Sequence, residues 1–244
     1  MTSPATNGDP FARLRAATRA RVALGRAGDA LPTAELLELR AAHAAARDAV
    51  HAPLAVDAVV EEIRGLGLEV RTVTSAAHDR AEYLQRPDLG RRLADADGLE
   101  PGGYDVAFVV ADGLSPLAVH RHAAALLREV LDRLEGWRIA PVVVATQARV
   151  ALGDEIGAAL GARTVVVLVG ERPGMSSTDS LGAYLTYDPR RGRRDSERNC
   201  LSNIRPPHGT GYEAAATTLA LLLTESRRLR LSGVRLKADP ALES

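Results

Sequence analysis

The chain has 244 residues, of which 46% are hydrophobic and only 3% aromatic, so alanine, valine and leucine must fill most of its core. Its 31 basic and 31 acidic side chains balance, which argues against a general nucleic-acid or membrane-surface binder. Because Lys237 is the only lysine, a Walker-type phosphate lysine is excluded. Because Cys200 is the only cysteine, an intrachain disulfide and a multi-cysteine zinc site are excluded as well.

The N-terminal part of the chain is predicted to be a disordered tail followed by a mainly helical region. Residues 1–9 are small and polar, and they contain no apolar core of a signal peptide. Residues 10–99 show helical periodicity with one short strand, LEVRTVTS. No stretch of the sequence approaches the length of a membrane span, and the lone cysteine suits a reducing compartment. We therefore expect a soluble protein of the cytoplasm.

Residues 100–244 alternate apolar strands with amphipathic helices, which is typical of a parallel sheet covered on both faces. The predicted strands are YDVAFVVADG, IAPVVVATQ, TVVVLVG and LGAYLTY. The fold class predicted is α/β, with a doubly wound, mostly parallel, Rossmann-like sheet on which the helical N-terminal region packs. No G-x-G-x-x-G opens the first turn from strand to helix, so a dinucleotide cofactor is not indicated.

Ligands of such sheets bind beyond the carboxyl ends of the strands, and this places the candidate site. Four strand ends are read from the sequence, at residues 112–115, 146–150, 170–174 and 200–203. Turn and N-cap roles are favoured for Asp112 and Ser115 on sequence grounds. Glu171 fits equally well a ligand contact or an ion pair with a nearby arginine.

The cysteine and the histidines give no catalytic or metal-binding pattern of their own. Cys200 is typical of a small buried hydrophobic residue, and no histidine is obviously placed to activate it as a nucleophile. His43 lies on an apolar helical stripe and is expected to be packed. His120 and His122 point to opposite sides of one helix, which is poor geometry for a shared metal ion.

Several segments together resemble the small (light) subunit of ethanolamine ammonia-lyase, in order from about residue 18 to residue 237. The matching segments are GRAG at 25–28, ARDAV at 46–50, YLQRPDLGRRL at 83–93, DGLS at 112–115, LVGERPG at 168–174, DSLGAYLTY at 179–187 and RNCLSNIRP at 198–206. The combination of RPDLGRRL, GERPG and CLSNIRP is specific to this family.

The resemblance implies a heteromeric lyase that converts ethanolamine to acetaldehyde and ammonia. In the family, a large TIM-barrel subunit binds ethanolamine, and the small subunit closes over adenosylcobalamin between the two. Cleavage of the Co–C bond gives a radical that abstracts hydrogen from the substrate. The amino group then migrates and ammonia is lost. The resemblance thus implies a large-subunit partner within a higher-order hetero-oligomer, with no nucleic-acid or membrane partner.

The resemblance also implies that Val150, Glu171 and Cys200 contact the cofactor. All three fall at or just after predicted strand ends, so the family and the fold prediction indicate the same edge of the sheet. The resemblance further implies that the cofactor binds base-on. This agrees with the lack of an Asp-x-His-x-x-Gly segment in the chain, which has Pro206 where the aspartate would stand. Residues 100–244 are therefore interpreted as the cobalamin-contacting domain, with no catalytic residue and no metal ligand assigned.

Two other functional classes remain open at this point. One is a nucleotide-binding regulatory α/β module without catalysis of its own, and the other is a free-standing hydrolase that uses Cys200. Relatives with a longer N-terminal tail are directed into a bacterial microcompartment. The segment MTSPATNGD offers no amphipathic helix for this purpose, so the sequence leaves encapsulation open.

Overall fold

A computed structural model describes residues 10–237 of the chain. Its helices are α1 (Ala12–Ala17), α2 (Thr33–His51), α3 (Val56–Arg64), α4 (Arg80–Gln85), α5 (Pro116–Leu131), α6 (Leu152–Ala159) and α7 (Tyr212–Leu229). Its strands are β1 (Val70–Thr74), β2 (Val106–Ala111), β3 (Val142–Thr146), β4 (Thr164–Gly170), β5 (Leu181–Tyr187) and β6 (Arg198–Ile204). Short 3-10 helices lie at Leu89–Arg91 and Asp195–Glu197. The predicted tail at residues 1–9 lies outside the described part.

The six strands form one mixed sheet in the order β1-β3-β2-β4-β5-β6. The first four strands in this order are parallel, whereas β5 is antiparallel to both β4 and β6. The α/β class is therefore confirmed, but the Rossmann-like, doubly wound parallel sheet is not. Strand β1 falls in the part that the sequence predicted as mainly helical, and it joins the same sheet by pairing with β3.

Helices cover the two faces of the sheet unequally. Alternate residues of the central strands point to one face, where α3, α5 and α7 bury their apolar sides. The other set packs against α6, with Val143, Val165 and Val167 against Leu152 and Ile156. Buried on both faces, β2 and β4 are continuously apolar, as the sequence pattern predicted.

The β5–β6 hairpin extends the sheet past the area that α6 covers. Helix α6 packs against β2 and β4. Across the β4–β5 and β5–β6 pairs, Val167 is opposite Tyr184 and Tyr184 is opposite Cys200, so these side chains share the α6 face. Because β6 spans Arg198–Ile204, the prediction that Cys200 lies at a strand end is wrong. The thiol lies inside the strand and is exposed on this face of the sheet.

Candidate functional site at the carboxyl edge of the sheet

Asp112 joins the ends of β2 and β3, which brings two of the predicted strand-end loops together. Its carboxylate accepts hydrogen bonds from the backbone N–H groups of Gln147 and Ala148, both at 2.9 Å, and forms an ion pair with Arg80 at 3.0 Å. Burial raises the pKa of Asp112, while the backbone donor of Ala148 and the Arg80 charge act in the opposite direction. The expected N-cap role belongs to Ser115 alone, whose hydroxyl accepts from Ala118 N.

Tyr83 is hydrogen-bonded to the loop that carries Val150. Its hydroxyl donates to the carbonyl of Ala148 at 3.1 Å, and its ring lies between the guanidinium groups of Arg80 and Arg149 at 4.9 and 4.6 Å. The backbone N–H of Arg149 donates to the carbonyl of Gly90 at 2.8 Å. The segment YLQRPDLGRRL thus fixes the position of Val150, although it lies far from it in sequence.

Glu171 follows β4 directly and is held by hydrogen bonds rather than by an ion pair. Its Oε2 accepts from the Ser180 hydroxyl at 2.5 Å and from the backbone N–H of Asn203 at 3.1 Å. Within residues 10–237 no arginine lies within ion-pair distance of this carboxylate, and its Oε1 has no hydrogen-bond donor. The alternative that Glu171 serves an internal ion pair is therefore not supported, and Oε1 is free to accept a hydrogen bond from a ligand.

Tyr184 lies between Glu171 and Cys200 on the uncovered sheet face. Burial is the main cause that raises the pKa of Tyr184, and the neighbouring Cys200 adds to this shift. Partial burial and the negative charge of Glu171 also raise the pKa of the Cys200 thiol, although Tyr184 beside it opposes this shift. Cys200 is therefore a neutral thiol near neutral pH, with a tyrosine as its neighbour instead of a histidine base.

Val150, Glu171 and Cys200 border two adjoining cavities that share the side chains of Arg149, Val150 and Tyr184. The Cys200 cavity has a volume of about 230 Å³ and lies above β5 and β6. The Glu171 cavity has about 410 Å³ and reaches to the β2 and β4 ends. The structure thus brings the three sequence-predicted residues together around one open surface, with Val150 on both cavities.

Tyr184 of this surface was not predicted from the sequence, and Arg149 was predicted only as part of the strand-end segment 146–150, not as a ligand contact. Tyr184 sits in the middle of an apolar strand, LGAYLTY, where it is indistinguishable from a core residue. Arg149 stands one residue before the predicted contact Val150 and lines both cavities. The position of Arg149 at a strand end is the signal that identifies it, whereas the sequence contains no corresponding signal for Tyr184.

The surface offers hydrogen-bonding groups for a large polar ligand and no nucleophile with its base. Arg149 Nε is buried and has no hydrogen-bond partner in the described chain. Together with Glu171 Oε1 it provides one donor and one acceptor beside the apolar Val150. Buried polar atoms normally have partners, so these groups indicate a ligand with both hydrogen-bond donors and acceptors.

The histidines do not add a metal centre. His120 Nε2 accepts from the backbone N–H of Ala55, and His122 Nδ1 lies 2.7 Å from the Tyr212 hydroxyl. No cluster of three potential metal ligands occurs within residues 10–237. None of the helices in this range combines the length and the apolar composition required to cross a bilayer.

Fold and site together define an α/β protein with an open surface at the carboxyl edge of a mixed sheet, where the described residues include no nucleophile paired with a base. Residues 8–237 match the family model described as ethanolamine ammonia-lyase light chain (EutC). The chain therefore belongs to the ethanolamine ammonia-lyase light-chain family.

Three similar proteins carry the same description, ethanolamine ammonia-lyase small subunit. The protein from Xanthomonas campestris pv. campestris (strain ATCC 33913) is 54% identical, over 98% of this chain and 92% of its own length. The one from Azotobacter vinelandii is 54% identical, over 97% and 91%. The one from Ralstonia nicotianae is 52% identical, over 96% and 91%.

Proposed function

We propose that this chain is the small subunit of an adenosylcobalamin-dependent ethanolamine ammonia-lyase and that it provides one side of the cofactor site. The observation that carries the proposal is the convergence of Val150, Glu171 and Cys200 on one open surface. Family membership supports the reaction, the release of ammonia and acetaldehyde from ethanolamine. We assign the catalytic groups for that reaction to the large subunit, because on the described surface the Cys200 thiol has no base placed to activate it.

The donor and acceptor set of the surface fits a corrin ring. Corrin carries amide side chains around its edge, and these can donate to Glu171 Oε1 and accept from Arg149 Nε. Val150 provides apolar contact, and the polarizable thiol of Cys200 suits the flat macrocycle. When bound, adenosylcobalamin supplies the radical chemistry. The residues of this chain bind and orient it and exclude water from its exposed edge.

The nucleotide-binding and hydrolase alternatives receive less support. A hydrolase would need a thiolate and a base, whereas the pKa of Cys200 is raised and its neighbour is Tyr184. A dinucleotide-binding module of the Rossmann kind lacks its sequence signature here, because no G-x-G-x-x-G opens the first turn from strand to helix.

Co-expression with the large subunit from the same organism tests the proposal directly. The purified complex should bind adenosylcobalamin and release ammonia from ethanolamine only when the cofactor is present. The small subunit alone should bind cobalamin weakly or not at all, because it provides only one side of the site. Assembled complex without cobalamin binding or turnover would refute the assignment.

Glu171→Ala should weaken cobalamin binding by the assembled complex by about tenfold, the loss expected for one hydrogen bond to a charged acceptor. Equilibrium dialysis of the complex against adenosylcobalamin measures this change. Glu135→Ala is the matched control, because Glu135 is an exposed carboxylate outside both cavities. Equal cofactor affinity in the two variants would rule out the role of Glu171.

A further inference from the structure

A third cavity, of about 310 Å³, lies at the same edge of the sheet beyond β5 and β6. Three arginines from separate parts of the chain line it: Arg19 of the N-terminal segment, Arg121 of α5 and Arg205 after β6. The hydroxyl residues Ser177 and Thr178 form another part of the wall. We call this cavity the arginine pocket.

Arg205 is a buried cation with no carboxylate in direct ion-pair contact. Its side chain is only 9% exposed, and it donates to the Asn203 side-chain oxygen at 3.1 Å and to the His208 carbonyl at 3.5 Å. Both acceptors are neutral. Over residues 10–237 no carboxylate lies within 4.0 Å of this guanidinium. The nearest carboxylate that acts on it, Asp179, pairs directly with Arg121 instead. Buried charges in proteins are normally paired, so Arg205 indicates a further negative charge from a ligand.

One carboxylate, Asp179, belongs to the wall of the arginine pocket, and it is already engaged. Its Oδ2 accepts from Arg121 Nη1 at 2.6 Å. Although partial burial opposes ionisation, the Arg121 guanidinium holds the pKa of Asp179 below its usual range. Three guanidinium groups therefore face one carboxylate, and the pocket keeps an excess of positive charge.

The remaining polar groups of the pocket are donors as well. Ser177 Oγ is buried and has no hydrogen-bond partner in the described part of the chain. Guanidinium groups and hydroxyls that converge from several directions suit a ligand with several anionic oxygens. We propose that the arginine pocket binds a phosphate group, either inorganic phosphate or the phosphodiester of a larger ligand.

The arginine pocket adjoins the candidate cofactor surface through a single residue. Asn203 accepts from Arg205 Nε with its side chain, and it donates to Glu171 Oε2 with its backbone N–H. Adenosylcobalamin contains one phosphodiester, so the cofactor is one of the two sources of phosphate. The proposal that the cofactor supplies the phosphate rests on the proposed function. The proposal that the pocket binds inorganic phosphate does not rest on it.

Titration of the full-length small subunit with inorganic phosphate at constant ionic strength tests the pocket itself. Arg121→Ala should raise the dissociation constant for phosphate about tenfold, because it removes a charged donor. Arg121 is half-exposed, so its replacement should leave the fold intact. Arg128→Ala is the matched control, since this exposed arginine lies two turns further along α5, outside the pocket.

The assembled enzyme distinguishes the two sources of phosphate. If the cofactor supplies it, Arg121→Ala should weaken the binding of adenosylcobalamin about tenfold. The binding of adenosylcobinamide, which lacks the phosphodiester, should not change. If both corrinoids bind as in the wild type while phosphate binding to the small subunit is weakened, the pocket takes free phosphate.

The proposal is overturned if phosphate binding is unchanged in Arg121→Ala and the two corrinoids are affected equally. Loss of subunit assembly with unchanged phosphate binding would also overturn it, because the arginines would then serve a carboxylate of the partner. Failure of the complex to bind any corrinoid would contradict the proposed function alone. The phosphate titration on the small subunit would still decide the role of the pocket.

Discussion

Asp112 shows how one buried carboxylate can hold the site together. It is 2% exposed, yet it connects two backbone N–H groups after β3 with the guanidinium of Arg80. Arg80 in turn donates to the carbonyl of Val50 at the end of α2. The N-terminal helices are thereby attached to the edge of the sheet where the candidate ligand surface lies.

Asp112→Ala should lower the free energy of unfolding by about 3–5 kcal/mol, because it leaves Arg80 buried without a counter-charge. Urea denaturation followed by circular dichroism measures this loss. Asp132→Ala is the control: Asp132 is exposed at the end of α5, and its replacement should change stability by less than about 0.5 kcal/mol. A similar small change in both variants would show that the Asp112 bridge contributes little.

At the level of single residues, sequence reasoning found the strand-end positions better than the strand-interior ones. Glu171 follows the apolar strand β4 directly and Val150 lies in the loop after β3, so their position at the sheet edge could be predicted from the pattern. Cys200 was assigned to the correct surface by family resemblance but to the wrong place in its strand. Tyr184 could not be identified, because its role depends on which face of β5 is uncovered, and this is a property of the tertiary fold.

Among the elements, the ends of β2 and β4 approach each other so closely that only glycine fits. A Cβ atom on Gly170 would lie 2.1 Å from the Ser115 carbonyl oxygen and 2.7 Å from that of Asp112. On the facing segment, a Cβ atom on Gly113 would lie 2.2 Å from the Gly170 carbonyl oxygen. These contacts involve backbone atoms, which cannot move without shifting both loops. The two glycines thus set the distance between DGLS and GERPG.

Gly170→Ala should therefore lower the free energy of unfolding by about 1–3 kcal/mol and should displace Glu171 from Ser180 and Asn203. Thermal unfolding measures the first effect, and cobalamin binding by the assembled complex measures the second. Gly211→Ala is the control, since a Cβ atom there meets no atom within 4 Å and the backbone φ of −70° suits any residue. An unaltered melting temperature in Gly170→Ala would contradict the close approach.

The direction of β5 is the largest difference between the prediction and the structure at this scale. An apolar strand reads the same in either direction, so the pattern of LGAYLTY could not distinguish parallel from antiparallel pairing. The length of the connection between β4 and β5 does distinguish the two kinds of pairing. Only residues 171–180 join β4 to β5, and a parallel crossover needs about a dozen residues or more. The α/β class, the central parallel strands and their helices followed from periodicity alone.

For the whole molecule, the antiparallel hairpin explains why the chain presents a surface rather than an enclosed active site. Strands β5 and β6 extend the sheet beyond α6, and no helix within residues 10–237 covers their side chains on that face. Tyr184 and Cys200 consequently line an open cavity. A ligand placed there would remain exposed on one side, which agrees with a subunit that completes its site only with a partner.

Cys200 can report on this closure, because it is the only cysteine of the chain and is exposed. Partial burial and the Glu171 charge raise the pKa of its thiol, so the folded chain favours the neutral form. The reactive thiolate should therefore form at higher pH than in an unfolded control. We therefore expect the rate of alkylation by iodoacetamide to increase at a higher pH in the isolated folded chain than in the urea-unfolded chain.

In the complex with the large subunit, adenosylcobalamin should slow this alkylation at least tenfold at every pH, because the corrin would cover the sulfur. Mass spectrometry of the small subunit measures the modified fraction, and Cys200→Ser gives the background. The complex without cofactor separates the two causes of protection. If the partner alone blocks the thiol, Cys200 lies in the subunit interface. If alkylation continues at the same rate with cofactor bound, Cys200 does not contact it, and the site would reduce to Val150, Glu171 and their neighbours.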